Sequence, residues 1–226
     1  MWNSKRFHRH EEFTMYTFQT PEAIAVAVDV LSADVTVIAS DRTDSVVEIR
    51  PADPARKGDV RAAEQALVDF ADGTLTVTSP KNWRTYTPFG GNPSITVTIE
   101  VPAGSRVRAG AGVGRLVGAG DLGDCEFEVS AGDVVVERPL GSVTAKVAKG
   151  DIRIGEAARG VLRLQTSVGN LEVGIRPGSA ARLETEAPSG TVHNHTDPAP
   201  ATGADVVHVY ARNTLGNIII RQATAA

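Results

Sequence analysis

Ser130-Ala131-Gly132-Asp133-Val134-Val135-Val136, Ala148-Lys149-Gly150-Asp151-Ile152-Arg153-Ile154 and Ser167-Val168-Gly169-Asn170-Leu171-Glu172-Val173 are three copies of one phrase. Their glycines lie 18 and 19 residues apart. In each copy a Gly-Asp or Gly-Asn pair precedes a short alternating strand, the signature of a repeated strand-turn-strand coil. With the weaker copies included, the repeat glycine stands at 114, 132, 150, 169, 190 and 216, in steps of 18, 18, 19, 21 and 26. Each coil holds two strands. One precedes the glycine (Phe127 and Val129; Val143, Ala145 and Val147; Leu162 and Leu164; Leu183), and one follows it (Val134 and Val136; Ile152 and Ile154; Leu171 and Val173; Ile218 and Ile220). These apolar positions alternate with Thr, Lys, Arg, Glu and Gln, so one face is buried and the other is wet.

A coil of this size carries only a handful of apolar side chains, too few to offset the entropy of ordering it alone. Stacked coils share one core, and stability becomes a sum of nearest-neighbour terms. The fold expected is therefore all-β, a solenoid-like β-helix or β-roll of stacked two-strand coils with a less regular N-terminal β region. Glycine at the corner lets the backbone reverse or approach its neighbour. Asp133, Asp151, Asn170 and Asn217 beside Gly132, Gly150, Gly169 and Gly216 are expected to close Asx-type turns on their own backbone.

Outward from the repeats, residues 1–14 lack periodicity and are expected to form a flexible arm. Residues 15–106 are expected to supply strands, a hairpin and an aromatic loop that cap the stack. Residues 107–222 are the coils and 223–226 a tail, with 15–222 forming one continuous domain. Ala23 to Val30 and Ala33 to Ile38 read as strands, with Ala33 in the glycine's place. Asp72-Gly73, between Ala66–Phe70 and Thr74–Thr78, predicts a tight hairpin turn. Asp59 to Gln65 predicts one or two helical turns with Asp59 as N-cap. The last strand, Asn217 to Arg221, is expected at the edge of the stack, free or self-associating.

The 226 residues carry a net charge of −4, which disfavours a nucleic-acid face and electrostatic docking on anionic lipid. Cys125 is the single cysteine, so no intramolecular disulfide forms. Met1 to Phe13 is charged and without an apolar core, unlike a secretory signal, and no run reaches the length of a membrane span. A soluble cytoplasmic protein is the expectation, with Met15 as an alternative start because the patterned sequence begins immediately after it.

Ala148-Lys149-Gly150-Asp151-Ile152-Arg153-Ile154-Gly155-Glu156 and its copies resemble the repeats of the bacterial "putative adhesin" family of β-strand-repeat domains, a domain of unknown function. Tyr16 to Val37, Thr85 to Gly91 and Leu215 to Arg221 are similar to the same family, so the resemblance covers nearly everything after Met15. Asn or Thr in place of Asp in the later coils departs from the phrase and speaks against an aspartate-dependent role there. The family name does not establish adhesion.

Few constellations point to chemistry. The Asp34, Asp133 and Asp151 ladder lacks the nonapeptide glycine pairs of calcium-binding rolls, and calcium wants six to eight oxygens, so turn capping is the favoured role. His193 and His195 share a strand face, and with His208 they are the weak candidates for a metal. Gly118-Ala119-Gly120-Asp121-Leu122-Gly123 matches a dinucleotide fingerprint by letter, but a strand follows it where a helix is required. Cys125 has no catalytic partner. Trp83, Tyr86 and Phe89, in one loop, are the candidate ligand or partner contacts, unless they plug the end of the stack. The function expected is a non-enzymatic scaffold or protein-interaction module without cofactor, acting on a protein partner or by homo-oligomerisation. The alternatives are a carbohydrate or cell-envelope ligand module using the aromatic loop and a metal-dependent enzyme at the histidines.

Overall fold

The computed structural model describes residues 6–10, 13–80, 93–196 and 205–223. The N-terminal region contributes β1 (Arg6–His10), β2 (Phe13–Gln19), β3 (Ala25–Ser40), β4 (Asp44–Pro51), α1 (Lys57–Gln65), β5 (Leu67–Ala71), β6 (Thr74–Thr78) and β7 (Ile95–Pro102). The coils supply β8 (Arg106–Val113), β9 (Leu116–Leu122), β10 (Cys125–Ala131), β11 (Val134–Pro139), β12 (Val143–Lys149), β13 (Ile152–Ala157), β14 (Gly160–Val168) and β15 (Leu171–Ile175). Then follow β16 (Ala180–Glu186), β17 (Val192–His195), β18 (Val206–Leu215) and β19 (Ile218–Gln222).

The strands form two facing sheets that share β3. One, here the first sheet, runs β1-β2-β4-β7-β3-β9-β11-β13-β15-β19-β17. The second runs β5-β6-β3-β8-β10-β12-β14-β18-β16. From β3 onward every pairing in both sheets is parallel, as a solenoid with one coil per rung requires. The two strands expected between Ala23 and Ile38 are one 16-residue strand. Its first half pairs with β6 and β8 and its second half with β7 and β9, so β3 turns the corner without a break.

Side chains alternate in and out along each strand, so the core is a set of columns, one residue per rung. One column is Val26, Val107, Cys125, Val143, Leu162, Val209 and Leu183. Another places Phe127 between Ala109 and Ala145, with Gly118 of the facing sheet against its ring. Two alanines and a glycine make the room that one phenyl fills. Ile95, Val97, Ile99 and Val101 alternate along β7 and are all buried.

Three further features depart from expectation. Residues 6–10, expected in an arm, form β1, which pairs antiparallel with β2 by backbone bonds that need no apolar pattern. Helix α1 begins at Lys57, and Asp59 lies in its first turn rather than at the cap. Its carboxylate is 1% exposed and accepts the Asp53 and Ser94 amides at 3.2 and 3.1 Å, joining the helix to the chain on both sides. The last strand in sequence is not the last in space: β18 and β19 are inserted between β14–β15 and β16–β17. The reason is apolarity. Val207, Val209, Ala211, Ile218 and Ile220 point inward and are buried, whereas β16 and β17 offer Ala181, Leu183 and Val192. Fully burying a Val or Ile side chain is worth about 1.5–3 kcal/mol, so the more apolar coil takes the inner position.

The two ends of the stack differ. At the N-terminal end Phe18 from the first sheet meets Phe70 from the second, ring centroids 5.5 Å apart, and α1 packs on β2, β4 and β7. At the other end β16 and β17 pair only inward among the described residues, and Val192 is 44% exposed.

The corner glycines are tested by substitution. Gly150 has φ +145°, and a Cβ there would sit 1.9 Å from the Gly132 carbonyl oxygen. Gly150→Ala is expected to cost about 2–5 kcal/mol, from backbone strain plus overpacking. Gly178→Ala, at φ +88° in open space, is expected to cost about 1 kcal/mol. Thermal unfolding distinguishes the two.

Candidate functional site

The repeat phrase builds one continuous corner. A Cβ on Gly114 would meet the Ala33 carbonyl oxygen, one on Gly132 that of Gly114, on Gly150 that of Gly132, on Gly169 that of Gly150, on Gly216 that of Gly169, and on Gly190 that of Gly216, all at 1.7–2.0 Å. The glycines therefore stand in a single column that follows the spatial order of the coils. Each amide donates to the carbonyl before the next corner: Gly132 to Lys149 at 2.9 Å, Gly150 to Val168 at 2.8 Å and Gly169 to Leu215 at 3.0 Å. From the second sheet, Thr166 Oγ1 donates to the Gly150 carbonyl at 2.9 Å and Asn213 Nδ2 to that of Gly169 at 2.7 Å.

The acidic and amide side chains beside these glycines bond between coils instead of closing turns on their own backbone. Asp133 Oδ1 accepts the Asp151 amide at 3.1 Å, and Asp151 Oδ1 accepts the Asn170 amide at 2.7 Å. Asn170 Oδ1 takes the Asn217 amide at 3.0 Å, and Asn217 Oδ1 takes that of Thr191 at 3.1 Å. Asp34 accepts the Arg115 amide, and the Arg115 guanidinium reaches Asp133 at 3.2 Å. The task is acceptance of one N–H, which a carboxylate and a carboxamide oxygen perform alike, so Asn170 and Asn217 continue what Asp133 and Asp151 begin.

A second corner escaped the sequence reading. Gly104, Gly123, Gly141 and Gly160 are spaced 19, 18 and 19 residues apart and mark the opposite turn of each coil. Asp124 Oδ1 accepts the Ser142 amide at 2.8 Å, and Ser142 Oγ accepts that of Val161 at 3.2 Å. The equal spacing was the available signal. It also settles the glycine-rich run from Gly118 to Gly123, which lies in β9 and the turn into β10, with no helix after it.

Among the described residues the histidine candidates do not assemble. His193 and His195 are exposed on β17 with rings stacked, centroids 6.1 Å apart. His208 lies in the second sheet beside Val161 and Arg182, away from that pair's strand. Among the described residues no group of three or more His, Cys, Asp or Glu is placed to share a metal ion. Trp83, Tyr86 and Phe89 lie outside the described residues. Cys125 is buried, and burial first, with the Asp124 charge second, pushes its thiol up to about 12. Such a thiol stays protonated and is no nucleophile at neutral pH.

The outer faces carry paired charges. Glu172 receives Arg153 at 2.9 Å and Arg221 at 2.8 Å across three neighbouring strands. On the second sheet a shallow groove of about 580 Å³ is lined by Lys146, Arg163, Glu184, Tyr210 and Arg212. The Arg163 guanidinium stacks over the Tyr210 ring, 5.6 Å from its centroid.

A model of the Toastrack DUF4097 family matches residues 22–196. The chain belongs to this family. No curated protein matches it. Among solved structures, a "putative cell adhesion protein" from Clostridium sporogenes aligns over 93% of this Toastrack chain and all of its own, at 12% identity and TM-score 0.42. A "putative adhesin" from Bacteroides fragilis aligns over 93% of this chain and 98% of its own, at 12% identity and TM-score 0.46. A "putative lipid binding protein" from Parabacteroides distasonis aligns over 95% and 96%, at 11% identity and TM-score 0.34. Among the described residues no helix of this Toastrack protein is long and apolar enough to cross a membrane.

The acceptor role of the ladder makes a sharp contrast. Asp151→Asn is expected to leave stability within about 0.5 kcal/mol, and Asp151→Ala to cost about 1 kcal/mol through the lost Asn170 bond. Denaturant unfolding measures both. A ladder that held cations would lose as much with Asn as with Ala.

Proposed function

We propose that this Toastrack protein is a non-catalytic β-scaffold that makes protein contacts through the open end of its solenoid. The observation that carries this reading is the difference between the two ends. The N-terminal end is closed by α1 and the Phe18–Phe70 contact, whereas the end formed by β16 and β17 leaves Leu183 half-buried and Val192 exposed. A terminal coil with unpaired backbone N–H and C=O groups is a ready template for another strand, and solenoids need such ends covered. Strand addition supplies affinity through main-chain bonds and specificity through alternate side chains.

The charged groups support a structural rather than a chemical use of the surface. Arg153, Glu172 and Arg221 are engaged with one another, the corner carboxylates accept backbone amides, and the single thiol is buried. None of these is a poised acid, base or nucleophile.

Proline in place of an edge residue removes an N–H that an added strand would use and leaves the inner coils untouched. Tagged wild-type chain is expected to retain untagged copies or other proteins in a pull-down, and the Thr185→Pro, Asn194→Pro double variant to lose them. Equal retention by wild type and variant would overturn the reading.

A further inference from the structure

We infer that the partner at the open end is a second copy of this chain, joined to β16 as an antiparallel strand with Leu183 on the two-fold axis. The inference rests on the reading that this end makes protein contacts. It concerns which protein arrives there and in what register.

Strand β16 reads Ala180-Ala181-Arg182-Leu183-Glu184-Thr185-Glu186. A two-fold axis across the edge turns the second strand round, so the pair is antiparallel and directly opposite residues share a face. An odd register would set an outward residue of one copy against an inward residue of the other, which the buried face forbids. Among the remaining registers, centring on Arg182 opposes two arginines, centring on Glu184 opposes two glutamates, centring on Thr185 opposes Glu184 to Glu186, and centring on Ala181 sets Arg182 against the partner's Ala180 and pairs no charges. Like charges directly opposite are destabilising.

Centring on Leu183 avoids every such clash. It sets Arg182 against Glu184 of the partner subunit twice, once on each side of the axis, and Leu183 against the partner's Leu183. Arg182 and Glu184 are both exposed, and neither forms an ion pair within its own chain among the described residues. Their neighbour Glu186 is already held by Arg212 at 3.3 Å. The two edge charges left without a mate are therefore the two that the dyad pairs.

The core points the same way. The column through Val107, Cys125, Val143, Leu162 and Val209 ends at Leu183, which is half-buried because no described residue forms a further rung. A second Leu183 across the axis is that rung. The column then runs unbroken from one closed N-terminal end to the other, and both open ends disappear at once.

Light scattering after gel filtration, over a wide concentration range, reads the outcome. The wild type is expected to be a dimer in equilibrium with monomer. Arg182→Glu opposes glutamates twice and is expected to raise the dimer dissociation constant about tenfold or more. Adding Glu184→Arg to that variant restores opposite charges and is expected to recover wild-type association. Both substituted residues are exposed on the edge strand, and an unchanged circular dichroism spectrum and unfolding temperature show that the coils are intact. A wild type that stays monomeric, a dimer indifferent to Arg182→Glu, or a double variant as weak as the single one overturns the inference. If the wild type is monomeric while the proline variant still loses other proteins in the pull-down, this inference fails and the wider reading stands.

Discussion

Everything in this protein follows from how closely successive coils approach at one corner. The carbonyl oxygen of each corner glycine occupies the space where a side chain on the next would begin, less than 2.1 Å from an ideal Cβ. That approach sets the rung spacing, roughly the 4.8 Å of neighbouring strands. Once it is fixed, the corner amides reach the next coil's carbonyls, and the Asp and Asn oxygens reach the amide one rung on. Inward side chains then fall into columns without further instruction. Within the core, Thr166 Oγ1 and Asn213 Nδ2 each donate to a corner carbonyl.

Stacking does not by itself set the order of the coils. Parallel coils of equal length could stack as they are synthesised, yet β18 and β19 lie inside β16 and β17. The difference is composition. Five branched or small apolar side chains of β18 and β19 are buried, and the coil displaced outward carries Arg182, Glu184, Glu186, His193 and His195 where it meets solvent. A charged outer strand is the usual protection of a sheet edge against indiscriminate pairing. Among the described residues the molecule thus has one end sealed by aromatic contact and one end whose outer strand is charged.

The corner and the strands were legible in the sequence because they depend on local pattern. Glycine spacing located the column, alternation located the buried faces, and Asp72-Gly73 located the hairpin turn, where both residues have positive φ. What escaped the reading depends on comparison between distant segments. Nothing near Ile218 says that its coil outcompetes that of Val192 for an inner position, because the answer lies in the relative apolarity of two coils. The role of Asp59 was hidden for a like reason: its partners, the amides of Asp53 and Ser94, come from both sides of the helix, one of them 35 residues away. The Asn residues of the later coils and the aspartates of the earlier ones each offer an oxygen to the amide one coil on. They are equivalent once the aspartates are seen as hydrogen-bond acceptors.

The account therefore depends on coils held in register by glycine corners and ordered by apolarity. Amide hydrogen exchange resolved along the chain tests this most directly. The account predicts that the amides of β19, although only a few residues from the C-terminus, exchange as slowly as those of β15, because a strand covers each side. Exchange of β19 at the rate of a free terminal strand, with β15 protected, would contradict it.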